Sequence, residues 1–152
     1  MHDYRRILAL VDFSEAGTKV AQRALKLARL GQTELAFLHL IEPDPCADGG
    51  YPAPSRKDCE QGYQQAALRR LAFLKATLAA DDVELLARYG QPAHGFAACV
   101  ADWRPDLVVA GDDPGYLGGR HDLLILGRPA RANGLHKLLR QFMSPTGLLG
   151  GA

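Results

Sequence analysis

Asp12 and Ser14 stand directly behind an unbroken apolar run, Ile7 to Val11. A carboxylate and a hydroxyl at the mouth of a buried parallel strand face the crevice where open α/β sheets take their ligands, so Asp12 is a candidate acceptor for a ribose or adenine hydrogen bond. The competing role is local, because Asp and Ser side chains also satisfy the first amides of a following helix.

Other reactive residue types offer less. His39 and His94 have no partner at the spacing of a metal site or a catalytic triad, and the chain has neither a nucleophile elbow nor a Walker A loop. Both read as structural histidines. Cys46, Cys59 and Cys99 are odd in number and widely scattered, which fits free thiols rather than a disulfide framework or a zinc site. Cys99 reads as a small apolar residue within a helix. Across residues 120–140, Arg120, Arg128, Arg131, Lys137 and Arg140 meet a single acid, Asp122. Such a patch suits phosphates or an acidic partner, or is simply a solvated helix face. It has no interleaved aromatic residues to stack on bases, so nucleic acid is disfavoured as a partner.

These residues need elements to position them. With 152 residues, 47% of them apolar, the chain suits one domain with a full core, residues 1–152. Eighteen basic and seventeen acidic residues leave a net charge of +1, so bulk charge points to no nucleic-acid or membrane partner. No apolar stretch approaches the roughly 18 residues of a bilayer span, and Met1-His2-Asp3-Tyr4 lacks the layout of a signal peptide. A soluble cytoplasmic protein is expected.

Ser14 caps a predicted helix that begins at Glu15 and carries Val20, Ala24, Leu27 and Ala28 at helical spacing, with Arg29 and Gly31 as stop signals. Residues 33–41 form a strand apolar enough to be covered on both faces. Four prolines and the pair Gly49-Gly50 make residues 42–55 a long loop, either a binding lid or a plain connection. Ser55 and Asp58 resemble a capping box for a second helix with Tyr63, Ala67, Leu71, Leu74 and Leu78 on one face. Arg56, Lys57, Arg69 and Arg70 fall on its wet side. A strand over 83–89, a turn at Gly90, a helix opened by Pro92 with Phe96, Val100 and Trp103 along its stripe, and a strand over 106–111 complete the alternation. Alternation of this kind predicts parallel βαβ units.

Beyond Gly111 it fails. Residues 112–121 are too short and too rich in glycine for a helical crossover. Residues 122–127 therefore pair with the preceding strand as an antiparallel hairpin, or add to the sheet through an irregular connection. Leu135, Leu138, Leu139 and Phe142 suggest a short last helix before a frayed tail at 143–152.

With the elements placed, the chain resembles the universal stress protein family. The likeness rests on Arg6-Ile-Leu-Ala-Leu-Val-Asp12-Phe-Ser14, on Leu35-Ala-Phe-Leu-His39-Leu40, and on Gly90-Gln-Pro-Ala followed by Asp106-Leu-Val-Val-Ala-Gly111. It implies a Rossmann-like, doubly wound parallel sheet of five strands in the order 3-2-1-4-5, helices on both faces, and a homodimer without an established catalytic reaction. Many members bind ATP through the acidic residue after strand one, backbone groups ending strand two, and a glycine signature after strand four. The resemblance thus marks Asp12, Ser14, Leu40, Ile41, Gly111, Gly115 and Gly127 as candidate binding residues.

The glycine signature itself, Gly-x2-Gly-x9-Gly followed by Ser or Thr, is not matched. Gly115 comes one residue late after Gly111, and no Gly-Ser or Gly-Thr pair follows. Counted from Gly127, Ala130 replaces the second glycine and Arg140-Gln141 replaces the final pair, although residues 127–139 look like the family's loop and following helix, as though 106–121 were inserted.

The leading expectation is a regulatory, stress-response module that acts by dimerising and binding a protein partner, with an altered ATP phosphate site and no turnover. The alternative keeps ATP, held by a non-standard loop between Gly111 and Gly119, with slow hydrolysis at most. The direction of those glycine amides separates the two. An adenylating transferase is disfavoured, since the chain has neither a His-x-Gly-His nor a Ser-Gly-Gly-x-Asp-Ser loop.

Overall fold

The computed structural model describes residues 4–43 and 56–127. Its elements are β1 (Arg6–Leu10), α1 (Glu15–Gly31), β2 (Glu34–Ile41), α2 (Arg56–Thr77), β3 (Glu84–Tyr89), α3 (Pro92–Trp103), β4 (Leu107–Ala110) and β5 (Asp122–Ile125). The five strands form one parallel sheet in the order β3-β2-β1-β4-β5, as the family resemblance implies.

Side chains alternate across a strand, so each strand feeds two cores. From β1, Ile7 and Ala9, followed by Val11, meet Val20, Ala24 and Ala28 of α1 and Leu71 of α2 on one face. Leu8 points the other way, toward Phe96 and Cys99 of α3. A strand buried on both faces has no polar position, which is why the sequence shows an unbroken run.

Helix ends are set by contacts as well as by residue type. Gly31 stays within α1, and Gln32 takes the left-handed conformation at φ 52°. The glycine serves a close approach: a Cβ at position 31 would lie 2.8 Å from the Thr33 hydroxyl, which donates to the Tyr4 carbonyl at 2.9 Å. Arg70, expected on the wet side of α2, lays its guanidinium 4.0 Å from the centre of the Phe13 ring.

The two routes left open after Gly111 are now separated. β5 runs parallel to β4, with Leu107 opposite Asp122 and Ala110 opposite Ile125. Leu117, fully buried among Phe96, Cys99 and Val108, fills the space that a crossover helix would cover. His121 donates from Nε2 to the Leu117 carbonyl at 2.6 Å and meets Phe96 edge-on, pinning the connection. The expected cap at Ser55, most of the proline-rich loop, the last helix with its tail, and Arg128, Arg131, Lys137 and Arg140 lie outside the described residues. Among the described residues no helix is long and apolar enough to cross a membrane.

Candidate functional site

The order 3-2-1-4-5 reverses direction at β1: α1 and α2 cover one face of the sheet, while α3 and the Leu117 segment cover the other. Chains leaving neighbouring strands therefore part at the carboxyl ends of β1 and β4, and a crevice opens between them. It encloses about 220 Å³ and is lined by Asp12, His39, Leu40, Gly111, Tyr116 and Gly127, with Gly17 and Val20 of α1 beneath.

The Asp12 carboxylate is held in place. Its Oδ1 accepts from the Ser14 backbone N–H at 3.0 Å and also from the Ser14 hydroxyl. Ser14 Oγ in turn accepts from the Gly17 N–H at 3.2 Å, the arrangement of a helix N-cap. Ser14 therefore serves α1 and the aspartate; it does not line the crevice. Gly17 was not apparent as a site residue in the sequence, yet a Cβ there would run into the carbonyl and carboxylate oxygens of Asp12. Its signal was a glycine in the first turn of a helix, three residues after the cap.

His39 is satisfied within the fold, as a structural histidine is, and also borders the crevice. Nδ1 donates to the Val11 carbonyl at 2.8 Å, and the ring lies against Phe13 with centroids 4.3 Å apart. In the neutral ring this leaves Nε2 as an acceptor. Tyr116 lines the opposite wall, and burial together with the negative charge of Glu42 raises its phenol pKa. It therefore stays a neutral hydroxyl able to donate or accept. Among the described residues no group of His, Cys, Asp or Glu is arranged to hold a metal ion.

The glycines divide. Gly111 and Gly127 line the crevice, but the Gly127 N–H is spent on the Gly111 carbonyl at 2.8 Å, continuing the β4–β5 ladder. Gly115 adopts φ 98° and gives its N–H to Asp113 Oδ1 at 2.8 Å, closing a local Asx turn between Pro114 and Tyr116, which line the crevice while Gly115 itself does not. Leu40 lines the crevice from β2. Ile41 does not, and its carbonyl accepts from the Gly90 N–H at 3.0 Å. Thus the strand ends supply a pocket, while two of the glycine amides expected to meet phosphates are already engaged.

The model of the universal stress protein family matches residues 3–132. The chain belongs to this family. Universal stress protein A homolog 1 of Coxiella burnetii is 30% identical over 134 residues, covering 87% of this chain and 89% of that protein. A universal stress protein family structure from Burkholderia pseudomallei superimposes with a TM-score of 0.61 at 18% identity, over 86% of this chain and 99% of the other. A universal stress protein in complex with cAMP gives a TM-score of 0.57 at 18% identity, over 82% and 97%. At such identities these universal stress protein structures speak for the fold alone.

Proposed function

We propose that the chain is a regulatory universal stress protein-like module whose Asp12 crevice takes the nucleoside part of an adenine nucleotide, with no phosphate grip from the described glycine amides at 115 and 127. The observation that carries this reading is the contrast within one site: a crevice of about 220 Å³ at the switch point, beside glycine amides at 115 and 127 that already donate within the protein. Asp12 supplies a fixed acceptor for a ribose hydroxyl. His39 Nε2, the Tyr116 hydroxyl and the Leu40 backbone offer further polar contacts, with Val20 and Leu38 as apolar walls. A universal stress protein of like fold is known in complex with cAMP, which supports a nucleotide carrying a single phosphate as the ligand class.

Catalysis has no place in this proposal, and ATP hydrolysis would require donors that Gly115 and Gly127 do not supply. Binding acts instead as a signal that shifts a homodimer toward or away from its protein partner. Titration calorimetry with adenosine, AMP, cAMP and ATP tests the claim. Adenosine and the monophosphates should bind within about tenfold of ATP, a difference of about 1.4 kcal/mol at most, and Asp12→Asn should weaken all of them together. Affinity for ATP far above that of AMP would favour the second reading, a triphosphate site with a non-standard loop.

A further inference from the structure

Among the described residues charge is segregated, although the chain is almost neutral. α1 carries Lys19, Arg23, Lys26 and Arg29 against Glu15, and α2 carries Lys57, Arg69, Arg70 and Lys75 against Asp58 and Glu60. Among the described side chains that is a surplus of five basic groups on the one face of the sheet these helices cover, in a chain of net charge +1. The sequence placed its main imbalance at 120–140, largely outside the described residues; packing gathers a second one here from charges spread along the chain.

The same two helices leave an apolar seam between them. One depression of about 610 Å³ is floored by Phe13, Ala66 and Leu74 and rimmed by Arg69, Arg70 and Phe73. A second, of about 460 Å³, lies along α1, where Leu25, Lys26, Arg29 and Leu30 line it together with Leu78, the residue after the end of α2. Phe73 and Leu30 are 76% and 78% exposed, one at each depression. The hydroxyl of Thr77 in the first depression is spent on the Phe73 carbonyl at 2.8 Å, and Asp12 Oδ1 is occupied by Ser14. Apart from Asp12, the one acid in the lining, the charged side chains around the two depressions, Arg69, Arg70, Lys26 and Arg29, are basic.

From these two observations together we infer that the α1–α2 seam docks an acidic amphipathic helix of a protein partner, with its apolar stripe over Phe73 and Leu30 and its carboxylates against Arg69, Arg70 and Lys26. Apolar anchors spaced along a groove between helices are what an amphipathic helix reads, and the basic rim selects acidic sequences and speeds encounter. An anionic bilayer meets the same charge but is flat and does not enter a concave seam. For nucleic acid, the seam lacks a row of exposed aromatics on which bases could stack. The inference rests on the regulatory-module reading and gives its partner a chemistry. Asp12 lines both the nucleotide crevice and the first depression, so the two ligands would sit on either side of one turn.

The test uses the full chain and a labelled synthetic helix with Leu and Phe at i, i+3, i+4 and i+7 and Glu elsewhere, followed by fluorescence anisotropy. A second peptide has Lys in place of every Glu. The acidic helix should bind, weaken by about tenfold or more with Arg69→Glu/Arg70→Glu and again with Phe73→Ser, and weaken as salt rises; the basic helix should not bind. No binding of the acidic helix, equal binding of both helices, or insensitivity to these substitutions would overturn the inference. So would phosphatidylserine vesicles capturing the chain through Arg69, Arg70 and Phe73 while the acidic helix does not. AMP titration of the same variants keeps the two claims apart: a crevice that still takes AMP beside a seam that takes no peptide removes only the docking surface.

Discussion

Asp12 and Ser14 form a closed pair: one carboxylate oxygen accepts both the backbone N–H and the hydroxyl of the serine two residues on. The carboxylate at the crevice is thereby oriented before any ligand arrives. Because Ser14 also accepts from the Gly17 N–H at 3.2 Å, one hydroxyl couples the start of α1 to the ligand-facing acid. Ser14→Ala should cost about 0.5–2 kcal/mol of stability, measured by urea unfolding, as loss of a helix cap does. It should also weaken adenosine binding less than Asp12→Asn, since Asp12 keeps its charge and its backbone donor.

Gly17→Ala acts on the same turn by a different route. A methyl group there overlaps both the carbonyl and the carboxylate of Asp12, and neither can withdraw without moving the end of β1 or the first turn of α1. Overpacking of this kind costs about 1–3 kcal/mol. The variant should melt several degrees lower and lose nucleotide affinity even though position 17 offers no side chain to a ligand, which calorimetry on the folded variant would measure.

Periodicity was enough to place β1 to β4 and the three helices, because burial on both faces leaves uninterrupted apolar runs and the helices carry stripes such as Val20, Ala24 and Ala28. The direction of β5 was not legible. It depends on whether residues 111–121 can cross over the sheet without a helix, and that is decided by Leu117 packing under Phe96 and by the His121 bond to its carbonyl. Within the site, Asp12, Leu40, Gly111 and Gly127 lie together as their positions at strand ends imply. Ser14, Ile41 and Gly115 do not line the crevice, each for a local reason: a cap, a carbonyl taken by Gly90, and an Asx turn with Asp113. Such local hydrogen bonds compete with ligand binding and depend on dihedral angles that residue types do not specify.

The helix-free crossover makes Leu117 the most consequential side chain between β4 and β5. Leu117→Ala should cost about 2–5 kcal/mol, the range for emptying a fully buried leucine site. His121→Ala should cost less and act locally. Removing its ring frees the Leu117 carbonyl and the edge contact with Phe96, so amides 112–121 should exchange hydrogen faster while those of β1 and β2 keep their protection.

Cys99 is buried in the α3 core, and desolvation, with smaller repulsive contributions from Asp102 and Glu84 and an opposing one from Arg88, lifts its pKa from 9.0 to about 11. At pH 8 it should therefore resist iodoacetamide in the folded protein and react once urea unfolds the chain, as mass spectrometry of the Cys99 peptide would show. The sign of the linkage follows. Between pH 9 and 11 the unfolded thiol ionises before the folded one, so the unfolded state releases its proton first and folding stability falls as pH rises through that window. Relative to Cys99→Ala, the wild-type chain should lose stability between pH 9 and 11 and keep a constant difference below pH 8.

Arg6 shows why an exposed ion pair is a poor measure of what its arginine contributes. Its Nε lies 2.8 Å from Glu34 Oε2, with both side chains substantially exposed, and screened pairs of this kind are worth about 0–1 kcal/mol. The same guanidinium donates to the Trp103 carbonyl at 2.7 Å, where α3 ends, and lies 5.6 Å from the centre of the Trp103 ring. Those two contacts tie β1 to the last turn of α3 and are lost only when the arginine goes. Glu34→Gln should therefore leave unfolding midpoints nearly unchanged, while Arg6→Ala should cost about 1–2 kcal/mol from an orphaned helix-end carbonyl and a lost cation–π contact. Trp103 is the chain's single tryptophan, so its emission reports the difference directly. It should shift in Arg6→Ala and stay fixed in Glu34→Gln, and equal shifts in the two variants would mean that the ion pair, not the helix-end contact, holds α3 against β1.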